Sequence, residues 1–357
     1  MIPKKLSLSQ SILLSAIQTD KFKTETLSVS IVMPTEEKNS PASLLALSIL
    51  KRGCEKFKTQ GEINLRLDEL YATSISMKSH RLGDANVLGF SAEMLCEDYT
   101  DGKTDVFGGT LDVLNQMLFH PLTDGEGYFL PSYIESEKNN QCDAIEAQIN
   151  NPRAYASKRC REIMFAGEPY GISLLGTADT VRAITKDELS ACYQSMISEH
   201  RYSFFYIGPR SIEEVAKRLE EAFLPHASQG QARPIPQTAA AKRSGDVRRV
   251  VEEMPLAQGK LVLGFLTGVG IQSEDFYTML VLNEIYGGSP VSKLFMNVRE
   301  KLSLCYYCGS GDNGQKGFLT VHSGIEFKNE KKAADEIDAE RLRSALQRVG
   351  DLEIALG

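Results

Sequence analysis

Histidine is scarce and dispersed in this chain of 357 residues: there are five, His80, His120, His200, His226 and His322. None has a second histidine or a glutamate at the spacing that sets two ligands on one helix face, so no zinc motif assembles locally. Each reads as a surface or partly buried structural residue. A nucleophile elbow and a dinucleotide fingerprint are also missing. Gly287-Gly288-Ser289-Pro290 lacks the Lys-Ser/Thr that completes a phosphate loop and reads as a helix stop and turn. No apolar run approaches the roughly 20 residues of a membrane span. The N-terminal stretch offers only "ILL" unbroken and no small-x-small cleavage site, so a soluble, cytoplasmic protein is expected. Dense basic blocks are absent too; "KRSGDVRR" (242–249) comes nearest and reads as solvated linker. With a net charge of −7, this argues against nucleic-acid and anionic-membrane partners. The seven cysteines are odd in number and scattered, which fits free thiols better than a disulfide framework. Cys305-Tyr-Tyr-Cys308 is formally C-x-x-C. On a strand, residues three apart face opposite sides, and no second pair exists, so neither a zinc nor a redox role is expected there.

What is present is a soluble globular composition, 42% hydrophobic and 24% charged, long enough for two or three domains. "SLLALSILKRG" (43–53) reads as a helix apolar on every side and therefore buried. Ser40 is its expected N-cap and Pro41 its first helical residue. Lys51 and Arg52 complement its last turn, and Gly53 suits a left-handed stop. Before it, "TLSVSIVMP" (26–34) reads as a strand. After it, Thr59-x-x-Glu62 reads as a capping box for a helix facing inward with Ile63, Leu67, Leu70 and Tyr71. "SISMKSH" and "NVLGFSAEML" predict a hairpin around Arg81-Leu82-Gly83-Asp84. Helices over about 104–118, 130–150, 151–165 and 187–197, a strand at 201–208 and an amphipathic helix at 211–223 complete the first half.

The stretch 225–250 loses periodicity and predicts a linker. Beyond it the order of elements returns: a strand at 259–268, an apolar helix at 275–288 ending in glycine, a shorter helix at 291–302, then a hairpin. The reading is α+β, with two duplicated domains at 1–224 and 251–357. Each is an antiparallel-rich mixed sheet with helices packed on one side, and the second copy reads as incomplete. In "NVREKLSLCYYCGS", Arg299 closes a helix and Tyr306 opens a strand. A guanidinium and a phenol at such a junction could bind a peptide carbonyl and its oxyanion, although on spacing alone a surface arginine beside a half-buried tyrosine is the better account.

"VLNEIYGGSPVSKLFMNVREKLSLCYY" and "FAGEPYGISLLGTADTVRAITKDELSACYQ", with "FKTETLSVSIVMP", "LKRGCEKF" and "YIESEKN" in order, resemble the insulinase/pitrilysin (inverted-zincin) metallopeptidases across nearly the whole chain. The resemblance implies a LuxS/metallohydrolase-like fold. The family carries zinc on an H-x-x-E-H helix leading into a Gly-Thr turn. Anchored on Gly53-Cys54, its ligand histidines correspond to Leu44 and Ser48 and its general-base glutamate to Leu47. The resemblance places the third ligand on Glu137 and its supporting glutamate on Ala144. Leucine cannot coordinate zinc, and the base is gone, so no metal is expected on this chain. The family's substrate-orienting Arg and Tyr match Arg299 and Tyr306. In two-chain members one subunit supplies the zinc helix and the other this pair. The implied function is a non-catalytic Arg/Tyr subunit, binding peptide beside an H-x-x-E-H partner that carries the zinc. The alternative is a non-enzymatic peptide-binding or scaffold protein.

Overall fold

The computed structural model describes residues 2–226, 232–241 and 247–338. These gather into two compact units. One comprises Met1–Glu146 and Ile172–Pro236, the other Ala147–Gly171 with the described residues from Gln237 onward.

The first unit is built on six strands: β1 (Lys4–Ser7), β2 (Ile12–Gln18), β3 (Thr24–Pro34), β4 (Ser74–Leu82), β5 (Ala85–Leu95) and β6 (Arg201–Gly208). Their order is β1-β2-β6-β3-β5-β4, and only β2–β6 is parallel. The sheet is thus mixed and antiparallel-rich, as expected. Alternation decides its faces. Along β3, Leu27, Val29, Ile31 and Met33 point into the core while the residues between them are only half-buried. The predicted hairpin forms, with Gly83 at φ +60 in its turn. No strand was expected before residue 26, yet Ile12, Leu14 and Ala16 bury one face of β2. The alternation was there to be read; its interruption by serine and glutamine obscured it.

Seven helices belong to this unit: α1 (Asn39–Leu50), α2 (Gln60–Glu69), α3 (Val106–Phe119), α4 (Pro131–Glu146), then, after one helix described below, α6 (Ala178–Ala183), α7 (Lys186–Ser198) and α8 (Ile212–Phe223). Helix α1 is buried as predicted and packs against α4, α7 and β5. Its ends differ from expectation. The N-cap is Lys38, which makes no side-chain cap, and Ser40 is already helical, accepting from the Glu36 N–H and from Asn86 Nδ2 at 2.8 Å. Gly53 does not turn left-handed. It is required by close approach, because a Cβ there would lie 2.6 Å from the Lys58 carbonyl oxygen. Thr59 caps α2, but Glu62 reaches back to the Lys58 N–H, one residue before the cap. Tyr71 lies past the end of α2 at φ +57 and is exposed rather than part of its buried face.

The second unit holds a three-stranded antiparallel sheet, ordered β7 (Gly259–Leu266), β9 (Phe318–Ile325), β8 (Cys305–Asn313). Helix α9 (Phe276–Asn283) runs into wider π-type turns over Glu284–Gly288, and a second π-type segment spans Leu294–Lys301. Their inner residues Met279, Leu282, Tyr286, Leu294 and Val298 pack against Leu319, Val321 and Ile325. Helix α10 (Glu330–Glu336) follows. The helix skipped above, α5 (Pro152–Met164), precedes α6 in the chain but packs on β7. It is anchored by Phe165 and Tyr170, whose rings meet Phe318 at 5.1 and 5.7 Å. These units therefore follow space rather than chain order: residues 147–171 join strands that come a hundred positions later. Residues 232–241 and 247–250 carry neither helix nor strand, and the remainder of the expected linker lies outside the described residues, as do residues 339–357.

Candidate functional site

The helix positions that the family resemblance assigns to zinc are hydrocarbon. Leu44 is 5% exposed and Leu47 not at all. Ser48 is the half-buried exception, and its hydroxyl is turned back onto the helix, donating to the Leu44 carbonyl at 3.0 Å. Glu137 projects from α4, and one cation already holds it: Arg52 Nη1 lies 3.1 Å from Oε1, with Asn140 Nδ2 at the same distance. The Arg52 guanidinium also sits over the Tyr133 ring, 5.2 Å from its centroid. Ala144 is exposed on the last turn of α4 and offers no donor. Two leucines, an inward-bonded serine, an alanine and a neutralised glutamate do not fit a zinc ion. Among the described residues no three His, Cys, Asp or Glu side chains cluster in a way that could hold a metal.

The sequence assigned Arg52 to the helix terminus; its partner Glu137 comes from a helix 85 residues away, so no local pattern could announce the pair. The histidines are not all isolated either. His120 and His226 meet edge to face, with ring centroids 5.3 Å apart. The latter is stacked on Phe119, and burial, then the His120 charge, holds it below the usual histidine range.

Arg299 and Tyr306 lie in the second unit. Arg299 ends the π-type segment Leu294–Lys301, stacked 4.4 Å over Phe295 and 3.6 Å from the neighbouring Glu300 carboxylate. Tyr306 belongs to a β-bulge: Cys305 lies opposite Ile325 and Tyr307 opposite Gly324, leaving Tyr306 as the extra residue. That irregularity turns its side chain outward, 79% exposed, rather than half-buried. No direct bond joins the guanidinium to the phenol. The segment that carries Arg299 packs against β8, the strand that carries Tyr306. The bulge also overturns the expectation for Cys305 and Cys308. With one residue looped out, the two side chains share a face.

Residues 183–354 match the family model described as "Peptidase M16 inactive domain". A protein of Bacillus subtilis (strain 168), described as "Probable inactive metalloprotease YmfF", is 30% identical over 90% of this chain and 74% of its own length. The chain belongs to the M16 metallopeptidase family. A conserved protein from Enterococcus faecalis V583 superposes at a TM-score of 0.83, with 25% identity over 99% of this chain and 85% of its own. The peptidase M16 inactive domain from Pseudomonas fluorescens superposes at 0.76, with 20% identity over 99% of this chain and 84% of its own. Other zinc-protease relatives are spanned over only 50% and 55% of their length. The M16 fold class and the expectation of a family member without the H-x-x-E-H motif are therefore correct. No described helix is long and apolar enough to cross a membrane.

Proposed function

We propose that this M16 homologue is the non-catalytic, Arg/Tyr-bearing subunit of a two-chain zinc metalloendopeptidase, binding peptide beside a homologous subunit that carries H-x-x-E-H. The observation that carries this reading is Tyr306, a large phenol held 79% exposed by a bulge at the start of β8, the strand against which the segment carrying Arg299 packs. An exposed phenol at a strand edge is open to a ligand. The guanidinium would donate to a peptide carbonyl and the phenol to the oxygen that becomes negative as the carbonyl is attacked. The partner's zinc would supply the activated water.

The test is hydrolysis of a peptide library by the purified chain, by an H-x-x-E-H homologue and by the two together. Activity is expected only in the mixture and is expected to fall in the Arg299→Ala, Tyr306→Phe variant. Unchanged activity of that variant would overturn the residue roles. Peptide binding with no hydrolysis in any mixture would favour the scaffold reading instead.

A further inference from the structure

The dithiol at the start of β8 carries a chemistry that peptide binding does not use. Cys305 and Cys308 pack on the same core as Leu294 and Val298, Cys308 buried and Cys305 half-buried. Cys305 lies opposite Ile325 and Cys308 opposite Ser323, so the two side chains stand on one face of the sheet on either side of the bulge. The pair is unequal. The neighbouring Cys308 thiol holds Cys305 below the usual thiol range, to about 7, against its partial burial, with Ser323 and the Arg299 charge adding to the effect. The Cys305 sulfur beside it, and then burial, push Cys308 up, so it remains a neutral thiol. Cys160, likewise half-buried, is pushed up to about 11 by burial. Cys54, Cys96, Cys142 and Cys192 are buried.

We propose that Cys305 and Cys308 form a redox-active dithiol, in which Cys305 attacks a small-molecule disulfide and Cys308 resolves the adduct. In the first step the Cys305 thiolate bonds to one sulfur of the disulfide, whose S–S bond breaks and releases one thiolate. That thiolate takes the Cys308 proton. The Cys308 sulfur then attacks Cys305, and the second small thiolate leaves and is protonated from solvent. Two protein thiols are oxidised and one disulfide is reduced to two thiols. Closure needs the two Cα atoms within about 7 Å, and the backbone on either side of Cys305 is irregular enough to adjust. Ser303 stands at φ +49, a conformation that costs a non-glycine residue, and the bulge lies at Tyr306. Drawing the ends of the bulge together moves Tyr306. The inference stands whether or not Tyr306 contacts a peptide.

The test uses the full chain, reduced, desalted and given a few equivalents of oxidised glutathione before trypsin digestion. Cleavage after Lys301 and Lys316 releases residues 302–316, which contain both cysteines and no other. In the wild type this peptide is expected to lose two hydrogens. In Cys308→Ser it should carry one glutathione on Cys305, formed more than about tenfold more slowly as the thiolate fraction shrinks. In Cys305→Ser it should stay unmodified. A reduced peptide in wild type while Cys160 is labelled, or two glutathiones on the one peptide, overturns the proposal. The wild-type map decides the matter even if a variant fails to fold. Because the chain has no tryptophan, Tyr306→Trp places a single reporter beside the pair. Its emission should be quenched on oxidation, and unchanged emission would sink the coupling to the bulge.

Discussion

Ten of the twelve residues of α1 are buried, whereas α9, equally apolar in sequence, buries Met279 and Leu282 and leaves Tyr277, Leu280 and Val281 exposed. Both helices are apolar all round and both precede a glycine, so residue pattern alone gives them one fate. What separates them is the surroundings the rest of the chain provides. Around α1 stand a six-stranded sheet, α4 and α7; around α9, among the described residues, stand a three-stranded sheet and its π-type continuation. A helix apolar on every side states that burial is tolerated, and the number of partners decides how much occurs. The contrast also separates the two candidate regions: the helix position that carries zinc in the family is sealed, and the exposed Tyr306 lies in the other unit.

The largest expected effect tests whether α1 is as closed as it looks. Leu47→Glu restores the family's general-base residue at a fully buried position. With no partner for the carboxylate, it should destabilise the first unit by more than about 4 kcal/mol, read by urea denaturation. An unchanged midpoint would mean the helix retains a polar path to solvent and the contrast with α9 is false. A gentler version compares truncations directly. Leu47→Ala should cost about 2–5 kcal/mol through the cavity it leaves, while Leu280→Ala, 40% exposed, should change stability by less than about 0.5 kcal/mol. Equal losses would show that α9 is covered in solution.

Much of this was legible in the sequence because it depends on local pattern. The alternation of "TLSVSIVMP" fixed the faces of β3, and Thr59 marked the start of α2, where its side chain accepts from the Glu62 N–H. The glycine in Arg81-Leu82-Gly83-Asp84 fixed the hairpin turn. What could not be read depends on tertiary neighbours. Gly53 answers to the Lys58 carbonyl, not to a helix stop, and Arg52 answers to a glutamate on another helix. The bulge at Tyr306 has no signature in "SLCYYCGS", yet it sets the direction of both cysteines and of the tyrosine. The candidate site was therefore found through family resemblance, while its geometry came from pairing with β9.

A pH series should separate the units more gradually. Burial, followed by a nearby positive charge, lowers His200, His226 and His322 below the usual 6.5; the charges are Arg233, His120 and Arg153 respectively. Below about pH 6.5 the unfolded chain takes up protons that the folded chain refuses, so stability is lost as pH falls through that value. Glu25, raised by burial despite its bonds to Tyr206 and Arg210, works in the opposite sense as pH falls further. Two of the three histidines lie in the first unit, so acid should loosen it more than the second. His200, whose Nδ1 has no hydrogen-bond partner, gives the cleanest control. In His200→Gln the fall between about pH 7 and 5 should flatten, measured by the denaturation midpoint at each pH. An unaltered slope would remove His200 from the account.

Smaller again is the effect of Arg52→Ala, which strips Glu137 of its cation and Tyr133 of its stacked guanidinium. A partly exposed ion pair of this kind is worth up to about 1 kcal/mol. The informative measurement is metal analysis of the variant. If Glu137 were a zinc ligand merely blocked by arginine, the variant would take up zinc. With leucine at positions 44 and 47, no uptake above wild type is expected.

Smallest in stability and sharpest in meaning is Tyr306→Phe. The side chain is 79% exposed, so removing its hydroxyl should shift the denaturation midpoint by less than about 0.5 kcal/mol. If the phenol donates to a bound peptide, the same change should weaken peptide binding or turnover in the mixed complex several-fold, because a ligand oxygen that loses its donor inside a closed site is left unpaired. Leu47 is the reverse case, a residue whose loss unfolds the unit and whose side chain can offer a ligand nothing. A tyrosine that alters binding without altering the fold belongs to the working surface of the protein, and one that alters neither is only the by-product of a bulge.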